Sequence, residues 1–585
     1  MKILIEDYKY IYAPEKSDIK EEDAREIQEF LKCIGSRSKD GAVPYVGYLY
    51  SRTLEDCVFF LPKVIVDEQG KVLGKYEPID LWKNKVNSFT KEERDFLFSF
   101  PIWTYLAVNT YNRRNPENII VRKQTISKMD SSKKDVNTTF LDCILDIIRF
   151  AQEHKNVLLF KMQNLHHSME RVNWPKTIST QQPLLKKGKA PIYLQPIVKK
   201  KAIDYEEELL VIYFSILRIL KEHYGFQVDI NLNFELIAEK KLDSKSGIKR
   251  LREIRYKYFS DITLKIWQLC YAYFERKEKM KSSNIVEDYL IASSFHTVFE
   301  AMVDELLGND LPAYMKKDQD DDKRIDHLFL YNSLIDPALK TYYIADSKYY
   351  EIGHRPKGPA LFKQYTYARN VIQVRNKNKE DQREKQYDMF RDDRTEGYNI
   401  VPNFFLSAFI NKKLSYDTHD IVKSEDGDVS EFHFENRLFD RETLLLSQFD
   451  INYLFVIKQY ATNASNESFR KEVHAIFRNH LLERLNNEYC FKILTLKQRP
   501  KAGFEKQALE NVLTPFFKLI NGKVLCPKRD EQYTNLILAL KKTNETRGQK
   551  ENEAVLSAVK ADFIIEDFKL GKRLPAIRLS YDKEV

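Results

Sequence analysis

The sequence predicts an α/β protein: a mixed central sheet flanked by helices, with a mixed region before it and a helical extension after it. Three observations predict this. From about residue 285 the apolar pattern reads helix, strand, strand, helix, strand. The segment 342–350, YYIADSKYY, is aromatic and apolar except for one acid and one amine near its centre. On either side of this stretch, helical apolar spacing dominates.

In chain order, a short strand is predicted at 2–6 and a helix at 21–34. VPYVGYLY (43–50) and DCVFFLPKVIV (56–66) have strand character, and TTFLDCILDIIRFAQ (138–152) has helical spacing. The stretch 169–201 is basic and turn-rich, and its prolines at 175, 183 and 191 mark a loop or connector. Lys186, Lys187, Lys189, Lys199, Lys200 and Lys201 there are candidates for contact with DNA phosphates; a solvated connector is the alternative. Helices follow at 205–224 and 249–279, where Leu209, Tyr213, Leu217 and Leu220 form a packing stripe. Next come a helix at 285–307, strands at 324–330 and 341–350, a helix at 359–374, and strands at 403–410 and 453–460. Helices at 468–487, 505–519 and 531–542 complete the reading. The expected divisions are 1–165 (mixed, contacting a partner or DNA), 166–280 (basic linker and helices), 281–465 (the α/β domain) and 466–585 (mostly helical).

A chain of 585 residues exceeds one hydrophobic core and suggests about three or four domains. Only 17 glycines and 19 prolines argue against long disordered linkers. No uncharged apolar run approaches a membrane span, and MKILIEDYKYIY meets acids too early for a secretory leader. The six cysteines form no CxxC pair and no zinc spacing, so reduced thiols and a cytoplasmic location are expected. The net charge of +9 suits a polyanion but weighs little when both signs are mixed along the chain.

The chemistry concentrates in 300–369. Side chains alternate along a strand, so Asp346 and Lys348 share one face and Ser347 points to the other. An acid and an amine inside an apolar strand are costly unless they pair or act. Asp326 begins a strand twenty positions earlier, and the turn-like YNSLIDPALK between them suits a hairpin that brings the two acids together. Two hard carboxylates make a Mg²⁺ site, beside which Lys348 can orient the attacking water. Asp346 is expected to be an exposed cleft carboxylate. Glu300, on the preceding helix, adjoins the apolar face of Phe299, Met302, Val303 and Leu306 and can reach the same cleft. Gln364, on the helix after the strand, can hydrogen-bond near the acids or a bound phosphate, whereas Tyr367 reads as packing. Structural ion pairing is the competing account of this set. His166, His167 and His296 have no partner acids at useful spacing, and the acidic run 318–322 lacks the Gly and terminal Glu of a Ca²⁺ loop.

In this order, FEAMVDELL, RIDHLFL, YYIADSKYY and FKQYTYARN resemble the nuclease core of McrC-type restriction subunits. RVNWPKTI (171–178) and FDINYLFVIKQYA (449–461) resemble segments of the LlaJI restriction endonucleases. The resemblance implies a PD-(D/E)XK fold, a divalent cation such as Mg²⁺, cleavage of double-stranded DNA in phage defence, and a separate McrB-like AAA+ GTPase. It assigns Asp326 as the first acid, Asp346 and Lys348 as the (D/E)XK pair, Glu300 as the helix glutamate and a third metal ligand, and Gln364 as the following glutamine. Ile325 stands where proline is usual, and Ala368 stands where a tyrosine is common, with Tyr367 beside it. No GxxxxGK[ST] phosphate loop occurs in the sequence, in keeping with a separate motor. A stand-alone site-specific endonuclease and a non-catalytic DNA-binding assembly subunit are the alternatives.

Overall fold

The computed structural model describes residues 2–574 apart from 13–18, 34–41, 52–53, 55, 84–88, 125–138, 156, 167–170, 225–227, 283–286, 309–310, 312–314, 316–323, 351–358, 378–391, 393, 425–429, 433–434, 441–442, 464–466, 499–504 and 528–534. The acidic run 318–322 lies outside the described residues. The chain opens with β1 (Lys2–Ile5), α1 (Glu21–Cys33), β2 (Val46–Ser51), β3 (Asp56–Leu61), α2 (Lys91–Arg114), β4 (Val121–Gln124) and α3 (Phe140–Glu153). The middle holds β5 (Phe160–His166), β6 (Ile197–Ile203), α4 (Glu208–Tyr224), α5 (Ser244–Ile254) and α6 (Asp261–Ser282). Then come β7 (Glu287–Ala292), α7 (Phe295–Leu307), β8 (His327–Asn332), β9 (Lys340–Lys348), α8 (Pro359–Lys377) and β10 (Asn403–Phe409). The remainder is β11 (Ile421–Lys423), β12 (Ser430–Phe432), β13 (Leu444–Asn452), α9 (Tyr453–Thr462), α10 (Glu467–Glu488), β14 (Tyr489–Leu496), α11 (Glu505–Leu513), β15 (Val524–Leu525), β16 (Asn535–Lys541), α12 (Thr546–Val559) and β17 (Phe563–Phe568).

The expected α/β class holds, with several mixed sheets. The first sheet has the order β1-β3-β2-β7-β4, the second β11-β13-β10-β9-β8 with β12 also on β13, and the third β15-β16-β14-β17. β5 and β6 form a separate antiparallel ribbon. In the second sheet β9, β10 and β13 run parallel, and β8 is antiparallel to β9. One face packs Phe329, Tyr343, Ala345 and Phe404 into the main core. The other packs Leu328, Tyr342 and Ile344 against Tyr367, Ala368 and Val371 of α8.

Several predicted elements change. The helix expected over 285–307 begins as a strand: β7 fills the gap between β2 and β4, and only Phe295–Leu307 is helical. Gly47 permits this close pairing, because a Cβ there would collide with the Leu290 carbonyl. The strand expected at 453–460 is α9. Its apolar run is buried on nearly every side, so periodicity cannot separate helix from strand; β13 ends at Asn452, whose side chain accepts from the Leu454 amide and caps the new helix. The helix expected at 531–542 contains the strand β16, whose Leu536–Leu540 positions are all buried against both neighbours. Local preference yields there to tertiary pairing. The C-terminal extension is therefore mixed α/β and built on an antiparallel sheet. The expected connector 169–201 holds a short helix, Trp174–Thr180, and enters β6.

Candidate active site

Two adjacent strands set the centre. β8 and β9 pair from Asn332↔Lys340 to His327↔Ala345. Asp326 is one residue beyond the last pair, and the same register places it opposite Asp346. The proximity has an electrostatic signature. Burial, hydrogen bonding to the Asp346 side chain, and the charges of Asp346 and Glu300 hold the Asp326 carboxyl well above the usual carboxylate range, against the opposing pull of Lys348. Asp346 is 1% exposed, so the exposed cleft carboxylate expected from the sequence is a buried one. β9 lies between β8 and β10 and under α8, which removes its centre from water. Lys348 Nζ forms an ion pair with Asp346, yet neither carboxylate oxygen of Asp346 has a well-directed hydrogen bond. The same ammonium lies 5.4 Å from the ring of Phe405, which pairs with Asp346 from β10.

These residues suit a cation. A buried carboxylate with undirected oxygens, beside a second acid that it drives toward protonation, is relieved by a positive ion between them. Among the described residues no three acidic, His or Cys side chains converge closely enough to hold an ion alone. The fold assembles an acid pair instead, and Mg²⁺ commonly takes one or two carboxylates with waters and phosphate oxygens.

Glu300 faces the same cleft as Asp326. α7 buries Phe295, Val298, Phe299, Met302, Val303 and Leu306, leaving Glu300 and Asp304 on its cleft side. The cleft, about 540 Å³, is also walled by Tyr111 and Arg114 from α2, by Arg324 and by Arg470 from α10. Arg114 pairs with Glu305, donating from its second nitrogen at 3.1 Å, and its guanidinium lies 4.7 Å from the Tyr460 ring. Arg470 donates to the Glu305 carbonyl at 3.0 Å. Acids at the floor and arginines at the rim form a surface suited to a phosphodiester backbone near a metal.

Gln364 is buried, and its Nε2 donates to Asn403 Oδ1 at 2.6 Å. Asn403 Nδ2 returns a bond to the Gln364 carbonyl at 3.2 Å, tying α8 to β10. Tyr367 is in the core, as expected. Lys363 does not stand out in the sequence. Its ammonium, held protonated by Tyr367 and further by Asp346 and Asp326, brings a second cation to the acid pair. Its position one turn before Tyr367 on α8 is the only signal the sequence offers. His327 and Ser347 do not stand out either; they meet on the opposite side of the same two strands, with His327 Nε2 2.6 Å from Ser347 Oγ.

The six candidate lysines are all exposed on or beside the β5–β6 ribbon. Lys199, Lys200 and Lys201 are consecutive on β6. Lys186, Lys187 and Lys189 crown a loop closed by the Leu184–Ile192 bridge, where Gly188 adopts the positive φ that the tip requires.

A mixed α/β sheet with an acid pair and a lysine at one end, with Asp326 lining a cleft walled by Arg114, Arg324 and Arg470, is compatible with an α/β nuclease. Residues 161–423, a little under half of the chain, match the LlaJI restriction endonuclease family model. The match spans Glu300, Asp326, Asp346, Lys348 and Gln364 and makes the chain similar, over that segment, to restriction endonucleases. No curated protein and no solved structure matches the chain. Among the described residues no helix is long and apolar enough to cross a membrane.

Proposed function

We propose that the chain is a Mg²⁺-dependent DNA endonuclease with a PD-(D/E)XK core, acting in restriction of foreign DNA. The carrying observation is the placement of Asp326 opposite Asp346 at the cleft end of β8 and β9, with Lys348 on the same face. Asp326 and Asp346 hold the ion, with Glu300 assisting from the cleft wall. The bound ion supplies Lewis-acid stabilisation of charge developing on the phosphate. Lys348, released in part from Asp346, directs a compact donor at the attacking water and orients it, the water's proton passing to solvent. Lys363 adds positive charge on the α8 side, and Gln364 fixes α8 to β10 through Asn403. Arg114, Arg324 and Arg470 position the DNA backbone at the rim, and the ribbon lysines extend that contact.

The McrC-like aspect belongs to this proposal: a separate McrB-like AAA+ GTPase drives the nuclease, and residues outside the nuclease core dock it in the cytoplasm. Motivation comes from the absence of a phosphate-binding loop in this sequence beside a full set of nuclease side chains. The test is cleavage of plasmid DNA by the purified chain with Mg²⁺, alone and with a GTPase encoded beside it. Cutting that needs both Mg²⁺ and the GTPase is expected. Efficient site-specific cutting by the chain alone selects the stand-alone alternative, and no cutting under any condition selects the non-catalytic one.

A further inference from the structure

We propose that His327 is a positioning residue: with Asp304 and Ser347 it forms a clip that holds Asp326 and Asp346 at metal-binding distance. This rests on the metal-dependent nuclease reading and extends it to residues outside the acid cluster. The clip joins the three elements that carry the acids. Asp304 is one turn beyond Glu300 on α7, His327 follows Asp326 on β8, and Ser347 separates Asp346 from Lys348 on β9.

His327 Nδ1 is 3.3 Å from Asp304 Oδ1, and Nε2 is 2.6 Å from Ser347 Oγ. A carboxylate only accepts, so Nδ1 carries the proton, and in the neutral imidazole Nε2 accepts from the serine hydroxyl. The order acid, imidazole, hydroxyl is that of a nucleophilic triad. Here, however, His327 is fully buried, Ser347 is 5% exposed, and neither lines the cleft. The arrangement is a strut.

Its location gives it an effect on the metal site. His327 is the last paired residue of β8, and Asp326 lies just outside the ladder, where strand ends fray. The His327–Ser347 bond closes that end from the face opposite the carboxylates. Without it, Asp326 gains freedom relative to Asp346, and the acid pair loses pre-organisation. Groups that hold metal ligands in place from behind commonly contribute roughly 10–100-fold to metal affinity or activity.

The test uses the full chain and Mn²⁺ as a spectroscopic probe. Mn²⁺ affinity is measured by electron paramagnetic resonance, and single-turnover DNA cleavage at saturating Mg²⁺ is measured separately. Ser347→Ala should weaken Mn²⁺ binding by roughly 10–100-fold and slow cleavage by a similar factor, with Ser347→Thr restoring both. Tyr343→Phe is the control. It removes the bond that the Tyr343 hydroxyl donates to the Asn332 carbonyl at 2.8 Å, at the far end of the same strand pair. It should lower thermal stability while leaving Mn²⁺ affinity at the wild-type value. Wild-type Mn²⁺ affinity in Ser347→Ala, or an equal loss in Tyr343→Phe, overturns the clip alone. A wild-type chain that binds no Mn²⁺ overturns the metal-site reading and the clip with it.

Discussion

Asp326 faces Asp346 one step past the end of the β8–β9 ladder, where burial and the neighbouring Asp346 carboxyl hold the Asp326 carboxyl well above the usual carboxylate range. Because Asp346 is buried and neither of its oxygens has a well-directed hydrogen bond, its negative charge carries a desolvation cost that the Lys348 ammonium offsets in part when no metal ion is bound. Asp346→Asn should therefore abolish Mg²⁺-dependent cleavage while leaving the metal-free melting temperature unchanged or raised. Plasmid cleavage and thermal melts in chelator check both halves. Cleavage at the wild-type rate would remove Asp346 from the site, and a large drop in melting temperature would make it a structural acid.

A second buried acid gives a pH dependence. Glu6, at the end of β1, accepts the hydroxyl proton of Tyr349, the residue after Lys348. Burial pushes the Glu6 carboxyl from 4.5 up to about 7, outweighing that bond. The folded state thus keeps the proton while the unfolded chain has lost it. Stability falls as pH rises from about 4.5 to about 7 and is flat above, a loss on the order of 3 kcal/mol from this group. Glu6→Gln should flatten that slope in denaturant titrations between pH 4.5 and 8. An unchanged slope would assign the pH dependence elsewhere, with Asp288, also raised to about 7 by burial, as the next group to vary.

The juxtaposition of Asp326, Asp346 and Lys348 is legible in the sequence because strand alternation and one short turn fix it locally. The burial of Asp346 is not, since it depends on β10 and α8 closing over β9 from distant parts of the chain. β7 and β16 read as helices for the same reason: their pairing partners are far away in sequence. α9 reads as a strand because a fully buried apolar run carries no periodicity. The His327–Ser347 contact needs the β8–β9 register and the rotamers together, so a lone buried histidine in RIDHLFL gives no signal by itself.

The β5–β6 ribbon carries a basic surface outside the acid cluster. If Lys199, Lys200 and Lys201 bind phosphates, replacing all three with alanine should weaken binding to every DNA sequence alike. The dependence of log K on log salt should become shallower by about 0.9 for each phosphate no longer neutralised. Their exposure predicts little change in melting temperature. Fluorescence anisotropy at several salt concentrations measures the slope; an unchanged slope would make the ribbon a solvated connector or a protein-docking element.

Lys348 separates catalysis from ion pairing. Its ammonium contacts Asp346 and lies near the Phe405 ring. Lys348→Met keeps the stem and removes the charge. Lys348→Arg keeps the charge, but its broad planar head cannot act as a compact donor at the attacking water. If the lysine serves the chemical step, both variants should bind Mn²⁺ and DNA almost normally and slow single-turnover cleavage by roughly 10²–10⁴. If it serves only to neutralise Asp346, Lys348→Met should lower the melting temperature in chelator while Lys348→Arg largely preserves it, and cleavage at saturating Mg²⁺ should survive in both. The two accounts predict opposite orderings of stability and rate. Melting temperature, Mn²⁺ affinity and single-turnover rate on these two variants decide between them, and wild-type rates in Lys348→Met would reduce the site to its two acids.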